Sequence, residues 1–164
     1  MKALPLWQPW ATLVAIGAKR VETRAYPPER LGLYRGQRIA IHATKTESEL
    51  GVCAREPFLS VLKDAGLRIP LGPQSFPLGG IVATAVLDRA AEITPESAAR
   101  LEREKPQEFA FGDYTPGRWA WVLRDVTEVD PFVPVRGSQG TFDVPDNLLG
   151  APPAPSHQQE ALAL

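Results

Sequence analysis

Apolar positions along the chain fall into short runs, most of them closed by proline or glycine. "MKALPL" alternates well enough to predict a first strand. "WQPWATLVAIG" follows with Trp10, Leu13, Val14 and Ile16 on helical spacing, Pro9 at the first helical position and Gly17 at the stop, so a short amphipathic helix is predicted. "VETR" is too short and too β-branched for a helix. It predicts a strand with Glu22 and Arg24 on one face and Val21 and Thr23 on the other. "AYPPERLGLYRG" is a loop, and "QRIAIHAT" predicts a central strand in which Ile39 and Ile41 alternate with Ala40 and His42.

The strongest helical pattern runs from Glu47 to about Ala65, but Pro57 interrupts it, which predicts two helical pieces or a kink. "LRIPLGPQSFPLGG" is a loop by composition, and "GIVATAVLD" predicts a buried strand. In "TPESAARLEREK", Thr94 is a good N-cap and Pro95 a good first-turn residue for a short polar helix. "RWAWVLRDVTEV" alternates Trp119, Trp121 and Leu123 with Ala120, Val122 and Arg124, so both faces of this strand should meet other groups. "PFVPVRGSQGTFDVP" predicts short extended pieces around Gly137 and Gly140, and residues 150–164 a flexible, Pro-rich tail. No internal repeat occurs. The architecture predicted is α+β: short strands in a small closed or nearly closed sheet, with two or three helices outside.

Length and composition narrow the class. At 164 residues the chain predicts one domain, residues 1–149, followed by the tail. Its 17 prolines and 13 glycines favour short strands and tight turns over long helices. No apolar run reaches the ~20 residues of a membrane span and the N-terminus lacks a signal-peptide core, so a cytoplasmic protein is expected. Cys53 is the only cysteine, which rules out an internal disulfide and predicts a buried structural thiol. The only histidines are His42 and His157, so no zinc set is available, and neither metal nor cofactor is expected. P-loop, dinucleotide-binding and nucleophile-elbow motifs are all missing.

Charge adds a hint of the partner. Residues 1–45 carry eight Lys or Arg and two acids, net +6, whereas the remainder carries ten basic and 17 acidic residues, net -7. Such a block is compatible with a phosphate-bearing partner and equally with a solvated surface. At its centre lies "GAKRVETR", with Lys19, Glu22 and Arg24. A lysine there can act as an anion clamp, or as a base if burial or nearby cations lower its pKa; a bland ion pair on a strand edge fits the spacing too. Trp7 and Trp10 can border a cleft where a base stacks, while Trp119 and Trp121 read as core.

Gly17, Lys19, Glu22 and Arg24 match the G-x-K-x-x-E-x-R signature of the ASCH domain, a branch of the PUA-like superfamily. The resemblance extends in order through "LWQPWATLVAIGAKRVETR", "YRGQRIAIHATK", "GDYTPGRWAWVLRDV" and "PVPVRGSQGTFDVP", over about residues 3 to 147. It implies a PUA-like mixed β-barrel of five or six strands with helices against it. It also implies a cleft between the first helix and the barrel, and RNA or a nucleoside or nucleotide as partner. Family members differ in activity: some resemble RNA-binding modules, one type is a metal-independent ribonuclease, and a shorter type is an amidohydrolase of N4-acetylcytidine. The last uses Lys, Thr and a downstream Glu. Lys19 matches its lysine, but Glu22 stands where its threonine falls, which leaves RNA binding as the leading expectation and hydrolysis or a protein-interaction role as alternatives.

On this reading Lys19 and Glu22 are the candidate catalytic pair, with His42 as a further candidate for proton transfer. Trp7, Gln8, Trp10 and Arg24 form one wall of the cleft, and Arg118, Ser138 and Gln139 form the opposite wall. The oligomeric state is not determined by the sequence.

Overall fold

The computed structural model describes residues 1–149, so the expected tail lies outside the described residues. Six strands, β1 (Lys2–Leu6), β2 (Val21–Arg24), β3 (Arg38–Ala43), β4 (Gly80–Glu92), β5 (Trp119–Pro134) and β6 (Phe142–Asp143), form one mixed sheet in the order β2-β5-β4-β3-β1-β6. Four α-helices accompany it: α1 (Trp10–Ala15), α2 (Phe58–Asp64), α3 (Pro95–Glu104) and α4 (Pro106–Ala110). The α+β class and the strand count agree with expectation. The helix count exceeds it, because "PQEFA" folds as α4 although its polarity gives no helical stripe.

The sheet is a curled ribbon whose two end strands, β2 and β6, do not pair with each other, so the barrel is not closed by backbone hydrogen bonds. β1 and β3 run parallel; the other ladders are antiparallel. The long strands β4 and β5 bend at three register shifts, which allows two continuous strands to curve around the core. One shift explains why "PFVPV" is not a separate piece. Between Ala83↔Glu128 and Ile81↔Val133 the ladder steps over residues 129–132, so Pro131, which has no N–H, falls where none is needed.

α1 packs inside the curl against β1, β3, β4 and β5, burying Ala11, Val14 and Ala15 among Leu4, Ile39, Ile41 and Trp121. Its stop is the predicted one, with Gly17 at φ +75°. The alternation read in β5 is real: Trp121 and Leu123 enter this main core, while Ala120 and Val122 pack with Leu101 of α3 and Val21 of β2. Thr94 and Ser97 cap α3 reciprocally. The 47–65 region divides at Pro57 into a 3₁₀ turn, Leu50–Ala54, and α2, and buries Cys53, Phe58 and Leu62 against Leu13 and Phe111. Among the described residues no helix is long and apolar enough to cross a membrane.

The basic block does not form one patch. Lys2 pairs with Asp143, Arg30 lies over the Tyr26 ring and Arg38 donates to Thr84, and none of the three lines the cavity that Lys19 and Arg24 share.

Candidate functional site

Pro5 lies on the part of β1 that β6 leaves uncovered, since β6 pairs only with Lys2 and Ala3. Across that gap stands β2. A cavity of about 610 Å³ opens here, walled by Lys19, Glu22 and Arg24 of the signature, Trp7 and Trp10 at the start of α1, and Arg118 before β5. Six of the residues read from the sequence as a site therefore line one cavity.

Lys19 is buried, with only 1% of its surface exposed. Its ammonium donates to the Val21 carbonyl and, among the described residues, has no carboxylate within ion-pairing distance. An ammonium has three donors, so two are without a protein partner among the described residues, on a side chain that lines the cavity. Direct Lys19–Glu22 pairing, one of the arrangements open at the sequence level, is not adopted. Glu22 instead places Oε1 2.9 Å from Arg24 Nε, out of line for a hydrogen bond, so the attraction is electrostatic. Arg24 spends Nη2 on the Pro5 carbonyl at 3.1 Å, bridging β2 to β1. Arg118 donates to the carbonyls of Asp113 and Thr23 and lies 3.2 Å from the Asp113 carboxylate. The Thr115 hydroxyl holds that carboxyl below its ordinary range, helped by the Arg118 charge.

A residue that sequence reading missed holds this wall in place. Glu108 of α4 is buried, and its carboxylate accepts from the backbone N–H groups of Arg20 at 2.8 Å and Val21 at 3.1 Å. Tyr114 also donates to it, at 3.3 Å. Burial, and then the Glu108 charge, push the Tyr114 phenol far up, so it remains a donor. Glu108 thus acts as a side-chain strand edge for the segment that carries Lys19. The only local signal is Pro106 as a helix start; nothing in the sequence marks a carboxylate that bonds to residues 88 and 87 positions earlier.

Four candidates require correction. Gln8 is fully buried and faces away from the cavity: its Nε2 donates to the Pro77 carbonyl and its Oε1 accepts from Thr12 N–H, so it anchors the start of α1. His42 is outside the Lys19 cavity. Its Nε2 donates to the Val135 carbonyl at 2.9 Å, its ring stands edge-on to Phe142, and Nδ1 is buried without a partner. Ser138 and Gln139 do not form the opposite wall. They line a second cavity, of about 1070 Å³, that shares Pro5, Trp7 and Arg24 with the first. Among the described residues no group of three or more His, Cys, Asp or Glu is placed to hold a metal ion.

A small curled mixed sheet with a charged cleft at its open seam is the class of protein defined here. The ASCH domain model matches residues 4–132, and the chain belongs to that family. Its fold is similar to the crystal structure of ASCH from Zymomonas mobilis, at 17% identity and a TM-score of 0.53, covering 90% of this chain and 89% of that one. A point-mutant structure of the same protein gives 17% identity and a TM-score of 0.51, covering 90% and 91%. At this identity the likeness concerns the fold. No curated protein matches the sequence.

Proposed function

We propose that the protein binds single-stranded RNA and seats one base in the Lys19 cavity. The observation that carries this reading is Lys19, a buried lysine that lines the cavity and whose ammonium has two N–H donors without a protein partner among the described residues. Holding a charge away from water costs several kcal/mol, and a single backbone carbonyl offsets only part of it. A ligand carbonyl or anionic oxygen completes its coordination. The Glu22 carboxylate, held by Arg24, accepts from an amino group of the base, and Trp7 and Trp10 supply aromatic surface for stacking. Opposite polarities at Lys19, just before β2, and Glu22, within it, suit the mixed donor and acceptor edge of a nucleobase better than a plain anion.

Binding is favoured over the ribonuclease alternative by where His42 lies: its Nε2 is committed to Val135 and its ring is outside this cavity, so among the described residues Lys19 has no imidazole beside it for proton transfer. The test is fluorescence anisotropy with a labelled single-stranded RNA, comparing the wild type with Lys19→Met. About a tenfold loss of affinity is expected, roughly the value of one hydrogen bond to a charged group. Equal affinity in the two proteins would remove the reading. Resolving the same RNA on a gel after incubation in EDTA tests the ribonuclease alternative, which predicts shortened products that Lys19→Met does not make. Acetate release from N4-acetylcytidine would restore the amidohydrolase alternative, and an RNA-independent partner the interaction module.

A further inference from the structure

The two adjoining cavities differ in charge. The walls of the first include Lys19, Arg24 and Arg118 but also Glu22, Glu49 and Asp113, so its formal charges balance. Arg24, Lys45 and Arg136 contribute to the second, and no Asp or Glu lines it. Among the described residues, neither Lys45 nor Arg136 has a carboxylate within ion-pairing distance, although the chain as a whole is net negative. An anion entering from the seam is therefore drawn to the second cavity and meets opposed carboxylates in the first.

The second cavity also presents neutral donors. The backbone N–H groups of Arg136 to Gly140 make no hydrogen bond to protein among the described residues, and the Ser138 and Gln139 side chains are exposed beside them. This loop is fixed at its root. His42 holds the Val135 carbonyl, and Gly137 lies so close to the His42 ring that a Cβ there would sit 2.6 Å from Cε1. Lys45 is held from the other side, with its stem against Gly79, where a Cβ would sit 2.6 Å from Cε. Successive backbone amides without a protein partner, on an anchored, glycine-flanked loop that lines a cavity with three cations, are the kind of donor set that an anion needs.

Accordingly, we infer that the cavity formed by Lys45, Arg136 and the 136–140 loop is a phosphate subsite, which receives the phosphate adjoining the base held at Lys19. The inference rests on the RNA-binding reading for its connection to the base but not for the anion site itself. Trp7, half exposed on the wall common to both cavities, stands between base and phosphate, and Arg24 faces both. Recognition is thus divided: the signature residues take the base, and Lys45 together with the 136–140 loop takes the backbone.

The experiment has two arms. In the first, binding of a labelled single-stranded RNA is measured over a range of salt concentrations for wild type, the double variant Lys45→Gln/Arg136→Gln, and a control, Lys63→Gln/Lys105→Gln, that removes the same charge away from the seam. Each phosphate contact contributes about 0.7 to the slope of log K against log salt in single strands. The double variant is expected to lose about 0.7 of slope and about tenfold in affinity, and the control is expected to lose neither. Equal slopes in wild type and double variant, or an equal loss in the control, would overturn the subsite. The second arm uses inorganic phosphate alone at tens of millimolar, followed by amide chemical shifts. Shifts at residues 136–140 that vanish in the double variant support the subsite even if RNA fails to bind; no shift in the wild type overturns it. RNA failing to bind wild type, with phosphate shifts intact, rejects the base-binding reading and not this one.

Discussion

Arg24 of β2 donates to the carbonyl of Pro5 on β1 at 3.1 Å, and this side-chain bond spans the seam where the barrel's backbone ladder is missing. The same guanidinium faces Glu22 and borders both cavities. Arg24→Lys keeps the charge but cannot present a planar fork to Pro5 and Glu22 together. Loss of about 1–2 kcal/mol of stability is expected from chemical denaturation, together with weaker RNA binding. A variant as stable as the wild type would show that the seam does not depend on this bridge.

Glu108→Gln tests the carboxylate that supports β2. A glutamine has one acceptor oxygen and an NH₂, so it cannot accept from Arg20 N–H and Val21 N–H through both terminal atoms. One backbone donor is left facing another donor, at a cost of about 1–3 kcal/mol. Amide exchange at Arg20 and Val21 should accelerate more than exchange in β4. Uniform acceleration across the sheet would mean that the effect is global.

Lys19→Met separates function from stability. Methionine approximates the volume of the lysine stem and removes the buried charge, and such replacements are often neutral or stabilising. The melting temperature should hold or rise while RNA affinity falls. A marked drop in melting temperature would instead assign Lys19 a role in holding β2 through Val21.

Cys53 gives a pH prediction. Burial pushes its thiol up to about 11 from an ordinary 9.0. At pH 8 the native protein should react with a thiol reagent far more slowly than the unfolded chain does. Above pH 9 the unfolded chain loses the thiol proton while the native state keeps it, so this group's contribution to stability falls as pH rises from about 9 to 11. Cys53→Ser should flatten that part of the profile. Rapid native labelling at pH 8 would contradict the burial.

Much of the fold was legible because its signals are local. Gly17 stops α1, Thr94 and Pro95 start α3, Pro57 divides the 47–65 region, and the period of two in "RWAWVL" places Trp121 and Val122 on opposite faces. Of the candidate site, Lys19, Glu22 and Arg24 were legible as a spaced signature and Trp7 and Trp10 as aromatic neighbours. Gln8 misled because a polar residue between two tryptophans looks like a binding group, yet its hydrogen bonds close on Pro77 and Thr12. His42 misled for a different reason: its ring lines the second cavity and not the first, with Nε2 on the Val135 carbonyl.

Residue spacing determined the order and type of most elements and the nearness of Lys19 to Arg24, because each depends on neighbours a few positions apart, and the ordered blocks of the sequence carried the resemblance to the family. Tertiary structure decided what each group faces. It took Lys19 out of water, paired Glu22 with Arg24 and not with Lys19, brought Glu108 under β2 and set the 136–140 loop beside Trp7. These outcomes depend on how a long, bulged sheet curls and where its seam is left open. That curl joins residues about a hundred positions apart, a relation that no period or local motif encodes.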